Sequence, residues 1–319
     1  MRPCLFASEI GSSTVSSSFL APFTGVPRRA LQKASGKTSG KNQQFMIRGT
    51  SMTIPCVLSI AGSDPSGGAG IQADLKVFSA LETYGAAAIT CLTVQNTIKV
   101  HDALMLDGVF VRAQVERVLE DIPINVIKTG MLGNGDIARH VGEAIEGRTI
   151  VCDPVMISKS GYALMNQDAM DAIMEHVVAR ATILTPNFHE LLALAQADES
   201  ADPLECGERI MQRFPRLQAL LVKGGHINEQ ATTVTDTLIM RHGGGFSHHS
   251  STHPRIDTPN THGTGCTLSS AIAAYLARSN GDMVEAVQQG IAYVHRLITR
   301  AAQGSVGKGN GPLLHHVPR

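Results

Sequence analysis

The sequence predicts an α/β fold with a central, mostly parallel sheet covered by helices on both faces. Three observations carry that prediction. Short apolar runs alternate with segments of helical spacing from about residue 54 onward. Two glycine-bearing loops, 62–70 and 263–265, each lead into a helical segment. Finally, Asp64, Gln95, Asp153, Asn187 and Lys223 all fall at or just beyond the carboxyl ends of apolar runs. In a parallel sheet those ends share one rim, where such folds bind ligands.

The 319 residues suffice for one large α/β domain or two smaller ones, and a hydrophobic content of 43% supplies a sizeable core. Lys+Arg and Asp+Glu both number 27, so the formal net charge is zero and neither nucleic acid nor a membrane surface is expected as a partner. No CxxC pair occurs among the six cysteines, which argues against a zinc ribbon. Cys56, Cys91 and Cys152 lie inside apolar runs as reduced core residues, which fits a reducing compartment. No apolar run is long enough to span a bilayer.

Residues 1–52 differ from the rest. They are rich in serine, hold one acid, Glu9, and carry Arg2, Arg28, Arg29, Lys33, Lys37, Lys41 and Arg48. This is the composition of an organellar transit peptide; a start at Met46 or Met52 is the alternative. We expect a disordered extension over 1–52 and one domain over 53–319. Gly36-Lys37-Thr38 ends like a P-loop, but Leu31 stands where that motif needs glycine.

The ordered part opens on Cys56–Ala61, a buried strand, then the loop Gly62–Gly70 and a helix over Ile71–Leu81. Further strands are expected at Ala88–Val94, Asn125–Met131, Thr149–Cys152, Thr182–Thr185 and Ala219–Val222. Helices are expected at Val109–Leu119, Ile137–Ile145, Ala169–Val178, Glu190–Ala195 and Leu204–Arg213. Thr232–Met240 alternates threonine with apolar residues ahead of Gly243-Gly244-Gly245, which reads as an antiparallel excursion at a sheet edge. Helices from Thr267 and Met283 close the chain. His242, His248, His249 and His253 read as surface loop residues, because their spacing matches no helical ligand pair.

Asn260-Thr261-His262-Gly263-Thr264-Gly265-Cys266-Thr267 runs straight into a small-residue helix. The first turn of a helix has unpartnered N–H groups and partial positive charge. Gly263 and Gly265 leave room for an anion to approach the backbone, with the Cys266 thiol at the mouth of the cradle. A plain tight turn before a packed helix is the alternative.

These stretches resemble the hydroxymethylpyrimidine and phosphomethylpyrimidine kinases of thiamine biosynthesis, in the ribokinase superfamily. The likeness lies in Ala61–Lys76, Gln95-Asn96-Thr97, Gly130-Met131-Leu132, Asp153-Pro154-Val155-Met156 and Lys159-Ser160-Gly161. It continues through Thr185-Pro186-Asn187, Val222–His226, Asn260–Ser269 and Gly307–Pro312. It implies a ribokinase-like three-layer α/β/α sandwich. It also implies phosphorylation by ATP, with Mg²⁺, of 4-amino-5-hydroxymethyl-2-methylpyrimidine and then of its monophosphate. Carried over, Gly62, Asp74, Gln95 and Met131 line the pyrimidine pocket. Asn187, Lys223, Gly263, Thr264 and Gly265 bind ATP phosphates, and Asp153 and Glu190 serve the metal. Cys266 meets the substrate hydroxyl where many superfamily members carry Asp. Proton acceptor, hydrogen-bond partner and positioning group are all open to it; a helix N-terminus can lower a thiol pKa. A homodimer is expected, in the cytoplasm, or in a plastid or mitochondrion if residues 1–52 are a transit peptide.

Three rivals remain. A pyridoxal or pyridoxine kinase shares the fold, but those enzymes usually carry a second acid after Asp-Pro-Val and Asp in the Gly-x-Gly loop, where this chain has Ser158-Lys159 and Cys266. A thiol hydrolase would use Cys266 and His262 and need no Lys223. A non-catalytic pyrimidine-binding protein would show no ATP turnover.

Overall fold

The computed structural model describes residues 54–156, 167–227, 230–279 and 281–316. The expectations for residues 1–52 and for Ser158-Lys159-Ser160-Gly161 lie outside these residues. In chain order the elements begin with β1 (Cys56–Ser63), α1 (Gly70–Ala80), β2 (Tyr84–Gln95), β3 (Val100–Met105), α2 (Gly108–Asp121) and β4 (Val126–Thr129). Then come α3 (Gly135–Ala144), β5 (Ile150–Cys152), α4 (Gln167–His176), β6 (Ile183–Leu184), α5 (Phe188–Ala195) and α6 (Pro203–Arg213). The series ends with β7 (Ala219–Val222), β8 (Thr233–His242), β9 (Gly245–Pro254), α7 (Thr264–Arg278) and α8 (Met283–Ala301).

These strands form one nine-stranded sheet in the order β3-β2-β1-β4-β5-β6-β7-β8-β9. The run β2 to β7 is parallel throughout. β3 pairs antiparallel at one edge, and the β8–β9 hairpin closes the other. Every residue of β4 and β7 is buried, as continuous apolar runs require of strands covered on both faces. Side chains alternate between two cores. Leu58, Ile127, Cys152, Leu184 and Leu220 face the layer that holds α2 to α6. Val57, Val126, Val151, Ile183 and Leu221 face α1, α7 and α8. The expected three-layer sandwich is the observed one. Among the described residues, no helix is long and apolar enough to cross a membrane.

Two strands depart from the sequence reading. β3 was not foreseen: only Val100 of its six residues is buried, so no apolar run marks it. His248, His249 and His253 lie in β9, and His242 ends β8; the loop assignment is corrected. β9 is an edge strand of Ser, His and Thr, held by ten-residue pairing with β8 and a turn through Gly243 and Gly244, both at positive φ. Backbone pairing makes this strand, and hydrophobic pattern does not report it.

Candidate active site

The strand ends and the start of α7 enclose a cavity of about 830 Å³ on the carboxyl rim of the sheet. Gly62, Gln95, Met131, Asp153, Asn187, Glu190, Lys223, Gly263, Thr264, Gly265 and Cys266 all line it. They come from seven separate segments of the chain, and the parallel topology brings them together.

One end of the cavity is polar. Asp153 follows β5 and Lys223 follows β7, and Lys223 Nζ lies 3.1 Å from Asp153 Oδ1. Glu190, in the first turn of α5, reaches the same ammonium at 3.8 Å. Asn187 caps α5: its side chain accepts from the Glu190 N–H at 3.0 Å, and its own N–H donates to Glu190 Oε2 at 2.8 Å. That capping box fixes the Glu190 carboxylate. Burial pushes Glu190 up to about 7, opposed by Lys223 and reinforced by Asp153. Burial also works against the Lys223 charge, but the two carboxylates outweigh it and hold the ammonium above its ordinary value. Ser269 of α7 donates to Asp153 Oδ2 at 3.3 Å and ties the helix to this cluster.

The cradle borders the cluster. Gly263 has φ +80°, and a Cβ there would collide with the carbonyl of Gly68, so the two glycine loops touch where only glycine fits. A Cβ on Gly265 would lie 3.6 Å from both Asp153 Oδ2 and Lys223 Nζ. The helix begins at Thr264, three residues before the expected Thr267, so Thr264, Gly265 and Cys266 belong to its first turn. Their N–H groups are therefore those without intrahelical partners.

Gly62, Gln95 and Met131 line the other end. A Cβ on Gly62 would stand 2.7 Å from Cys91 Sγ, which fixes glycine there. Cys91 Sγ and Met131 Sδ lie 3.9 Å apart. Gln95 closes β2 with its amide between Thr93 Oγ1 and His262 Nε2, each 3.3 Å away. His262 Nε2 also lies 2.8 Å from Asp64 Oδ2. In the sequence Asp64 reads as a rim residue and His262 as a hydrolase base; their pairing across 198 positions has no signal in spacing.

Asp74 is the correction. It does not line the cavity and is fully buried beneath it. Asp74 Oδ2 accepts from Lys128 Nζ at 2.9 Å and from Ser59 Oγ at 2.6 Å, and Oδ1 accepts from Ser270 Oγ at 2.7 Å. These three donors take three of the four lone-pair positions of a carboxylate that has no exposed surface. Lys128 was missed, although a lysine inside the apolar run 125–131 was a visible signal.

Cys266 stands at the helix N-terminus, yet its thiol is not lowered. Burial pushes it up to about 11; Lys128 pulls it down, and Asp74 and Asp153 push it further up. Burial overcomes the helix dipole here, so the thiol is neutral at pH 7. Alkylation of Cys266, followed by peptide mass mapping, is expected to quicken about tenfold per pH unit from 7.5 toward 11. A rate that levels off below pH 9 would contradict the burial argument. His262 faces Asp64, so the pair required of a thiol hydrolase is not assembled.

A rim of this kind suits phosphoryl transfer to a small alcohol and places the chain among the ribokinase-like enzymes. The comparisons agree. The phosphomethylpyrimidine kinase family profile matches residues 64–314. A hydroxymethylpyrimidine/phosphomethylpyrimidine kinase from Rhizobium meliloti is 41% identical over 271 residues, covering 82% of this chain and 97% of that protein. The phosphomethylpyrimidine kinase of Clostridium difficile is 37% identical with a TM-score of 0.65, covering 77% of this chain and 100% of that one. A pyridoxal kinase from Staphylococcus aureus, in complex with AMP-PCP and pyridoxal, is 30% identical with a TM-score of 0.71, covering 82% and 94%. The chain belongs to the phosphomethylpyrimidine kinase family.

Proposed function

We propose that the chain phosphorylates 4-amino-5-hydroxymethyl-2-methylpyrimidine with ATP, then phosphorylates the monophosphate, giving the diphosphate for thiamine biosynthesis. One observation carries this reading. A single cavity runs from Gln95 and Met131, past the Gly263-Thr264-Gly265 cradle, to Lys223, Asp153 and Glu190. The curated relative at 41% identity is named for both phosphorylations. Pyridoxal kinase is the second reading, supported by fold likeness at 30% identity. A substrate panel of the pyrimidine alcohol, its monophosphate and pyridoxal, each with Mg-ATP, decides between them. Highest kcat/KM on pyridoxal would reverse the order.

The roles follow from chemistry. Backbone N–H groups of the cradle and the Lys223 ammonium meet the transferring phosphate and neutralise its charge. Asn187 holds Glu190 in place and faces the phosphates. Mg²⁺ fits as the ion carried by ATP, because it binds through one or two carboxylates with phosphate oxygens and waters, and Asp153 and Glu190 offer two carboxylates. Bound there, it would supply further charge neutralisation. Cys266 meets the substrate hydroxyl as a neutral thiol, so it positions the hydroxyl rather than taking its proton at pH 7. Phosphoryl transfer relies mainly on positioning and charge stabilisation. Cys266→Ala is therefore expected to reduce kcat by less than the ~10²–10⁴-fold of a lost general base.

Gln95 reads the pyrimidine, since one amide both donates and accepts. Gln95→Leu is expected to raise KM for the pyrimidine about tenfold or more while KM for ATP stays within about twofold. Unchanged pyrimidine kinetics would remove Gln95 from the site.

Residues 53–319 form the kinase domain in this reading, and the chain acts as a homodimer. The support for a dimer is apolar exposure on β2 and β3, where Leu92 faces Leu104 across the pair, both exposed beside Val94. Removal of residues 1–51 is expected to leave a soluble, active protein that sediments at twice the chain mass. An inactive or monomeric product would reject the corresponding part. The cytoplasm is the proposed location, or a plastid or mitochondrion if residues 1–52 direct import.

A further inference from the structure

Gln95 ends β2 with one polar neighbour at each end of its amide. As placed, Oε1 lies 3.3 Å from Thr93 Oγ1 and Nε2 lies 3.3 Å from His262 Nε2. Both neighbours are committed elsewhere. The Thr93 hydroxyl has one hydrogen, and the Ser63 carbonyl accepts it at 2.9 Å. Thr93 therefore offers Gln95 a lone pair. His262 Nε2 lies 2.8 Å from Asp64 Oδ2. The Asp64 carboxylate also accepts from the Ser66 N–H and hydroxyl, and from the N–H groups of Gly68 and Ala69. Burial favours protonation of Asp64, but the bonds from His262 and Ser66 outweigh it and hold the carboxyl below its ordinary range. An ionised acceptor at this distance requires the hydrogen to be on His262 Nε2. With its one hydrogen directed at Asp64, His262 Nε2 has no lone pair for an amide N–H and can only share that hydrogen with an amide oxygen. An amide meets a lone pair with its nitrogen and a donor with its oxygen, so the hydrogen-bond network assigns Gln95 the reverse of the placement above.

We propose that Asp64, His262 and Thr93 are positioning residues that fix the Gln95 amide with nitrogen toward Thr93 and oxygen toward His262, and so set the donor–acceptor order shown to the pyrimidine. This rests on the reading of Gln95 as the pyrimidine-recognising residue. One amide hydrogen and one oxygen lone pair remain for the ligand, in a set order. A ring nitrogen beside an exocyclic amine matches that order. The 4-oxo analogue presents the reverse, a ring N–H beside a carbonyl. A freely turning amide would accept both; a fixed one rejects the analogue. The same relay joins the Gly62–Gly70 loop to the residue that precedes the phosphate cradle.

The test compares kcat/KM for the aminopyrimidine and its 4-oxo analogue in full-length variants. Wild type is expected to prefer the amine strongly, because the reversed pattern leaves amide and ligand groups unpaired in the closed complex. Thr93→Val removes the lone pair, and His262→Phe removes the donor while keeping a ring. Each is expected to lower the preference about tenfold or more. Thr93→Ser keeps the hydroxyl and is expected to keep the preference, which a packing role for the Thr93 methyl group would not do. Undiminished preference in Thr93→Val or in His262→Phe overturns the proposal. Gln95→Leu separates the two levels. If it uses the aminopyrimidine as wild type does, Gln95 is not in the site and the reading beneath falls. If it is impaired while Thr93→Val and His262→Phe still discriminate, only the orientation claim falls.

Discussion

Lys223→Met is expected to lower kcat by about 10²–10³-fold, the cost of removing one preorganised charge-stabilising group from a water-poor site. Lys223 Nζ lies 3.1 Å from Asp153 Oδ1 and 3.8 Å from Glu190 Oε2, and it borders the Gly265 backbone. The two carboxylates outweigh burial and keep the ammonium charged through neutral pH. Without it, two buried carboxylates would face the ATP phosphates with no protein cation between them. Glu190, already pushed up to about 7, would take a proton more readily. KM for the pyrimidine is expected to change little, because Gln95 and Met131 lie at the other end of the cavity. Steady-state kinetics with each substrate varied in turn provide the check. A higher KM for ATP with kcat intact would mean that Lys223 binds ground and transition states equally.

Lys223 illustrates what a sequence exposes. It stands at the end of an apolar run, directly before two glycines, and the topology of parallel sheets places such ends on one rim. Asp153, Asn187 and Gln95 were legible for the same reason, and so was the three-layer sandwich. β3 and β9 were not, because edge strands are made by backbone pairing and carry little apolar pattern. Asp74 was misplaced for another reason. Its position after the glycine loop suggested a wall of the site, while burial depends on Ser59, Lys128 and Ser270, up to 196 positions away. Cys266 stands at the helix start as expected, but its titration is set by burial and by Lys128, Asp74 and Asp153 from three other segments. No local motif holds that information.

The second large effect concerns stability. Lys128→Met is expected to destabilise the fold by about 3–5 kcal/mol, the usual cost of breaking a buried ion pair from one side. Lys128 and Asp74 both have fully buried side chains, with Nζ and Oδ2 2.9 Å apart. Ser59 and Ser270 complete the carboxylate, so its lone pairs are well used while the lysine is present. Burial opposes the Lys128 charge, yet Asp74 and Asp153 outweigh it and hold the pKa above the ordinary 10.5. Its contribution is therefore complete at neutral pH and lost only as the pH rises through the folded-state value. Removing the lysine leaves Asp74 ionised without a cation or protonated at a cost. Asp74→Asn keeps an acceptor for one serine but strands Lys128. Burial then draws the lysine below its ordinary value, so the unfolded chain binds the extra proton. The variant should gain stability as pH rises from 7 toward 10, whereas wild type should show no such gain from this group. Urea unfolding at several pH values reads both effects. A loss under about 1 kcal/mol in Lys128→Met, or an Asp74→Asn curve parallel to wild type, would mean that water or a neighbouring group replaces the partner. Lys128 also pulls the Cys266 thiol downward, so its loss should carry the onset of Cys266 alkylation to higher pH. That shift, measured on the folded fraction, would link the buried pair to the chemistry above it.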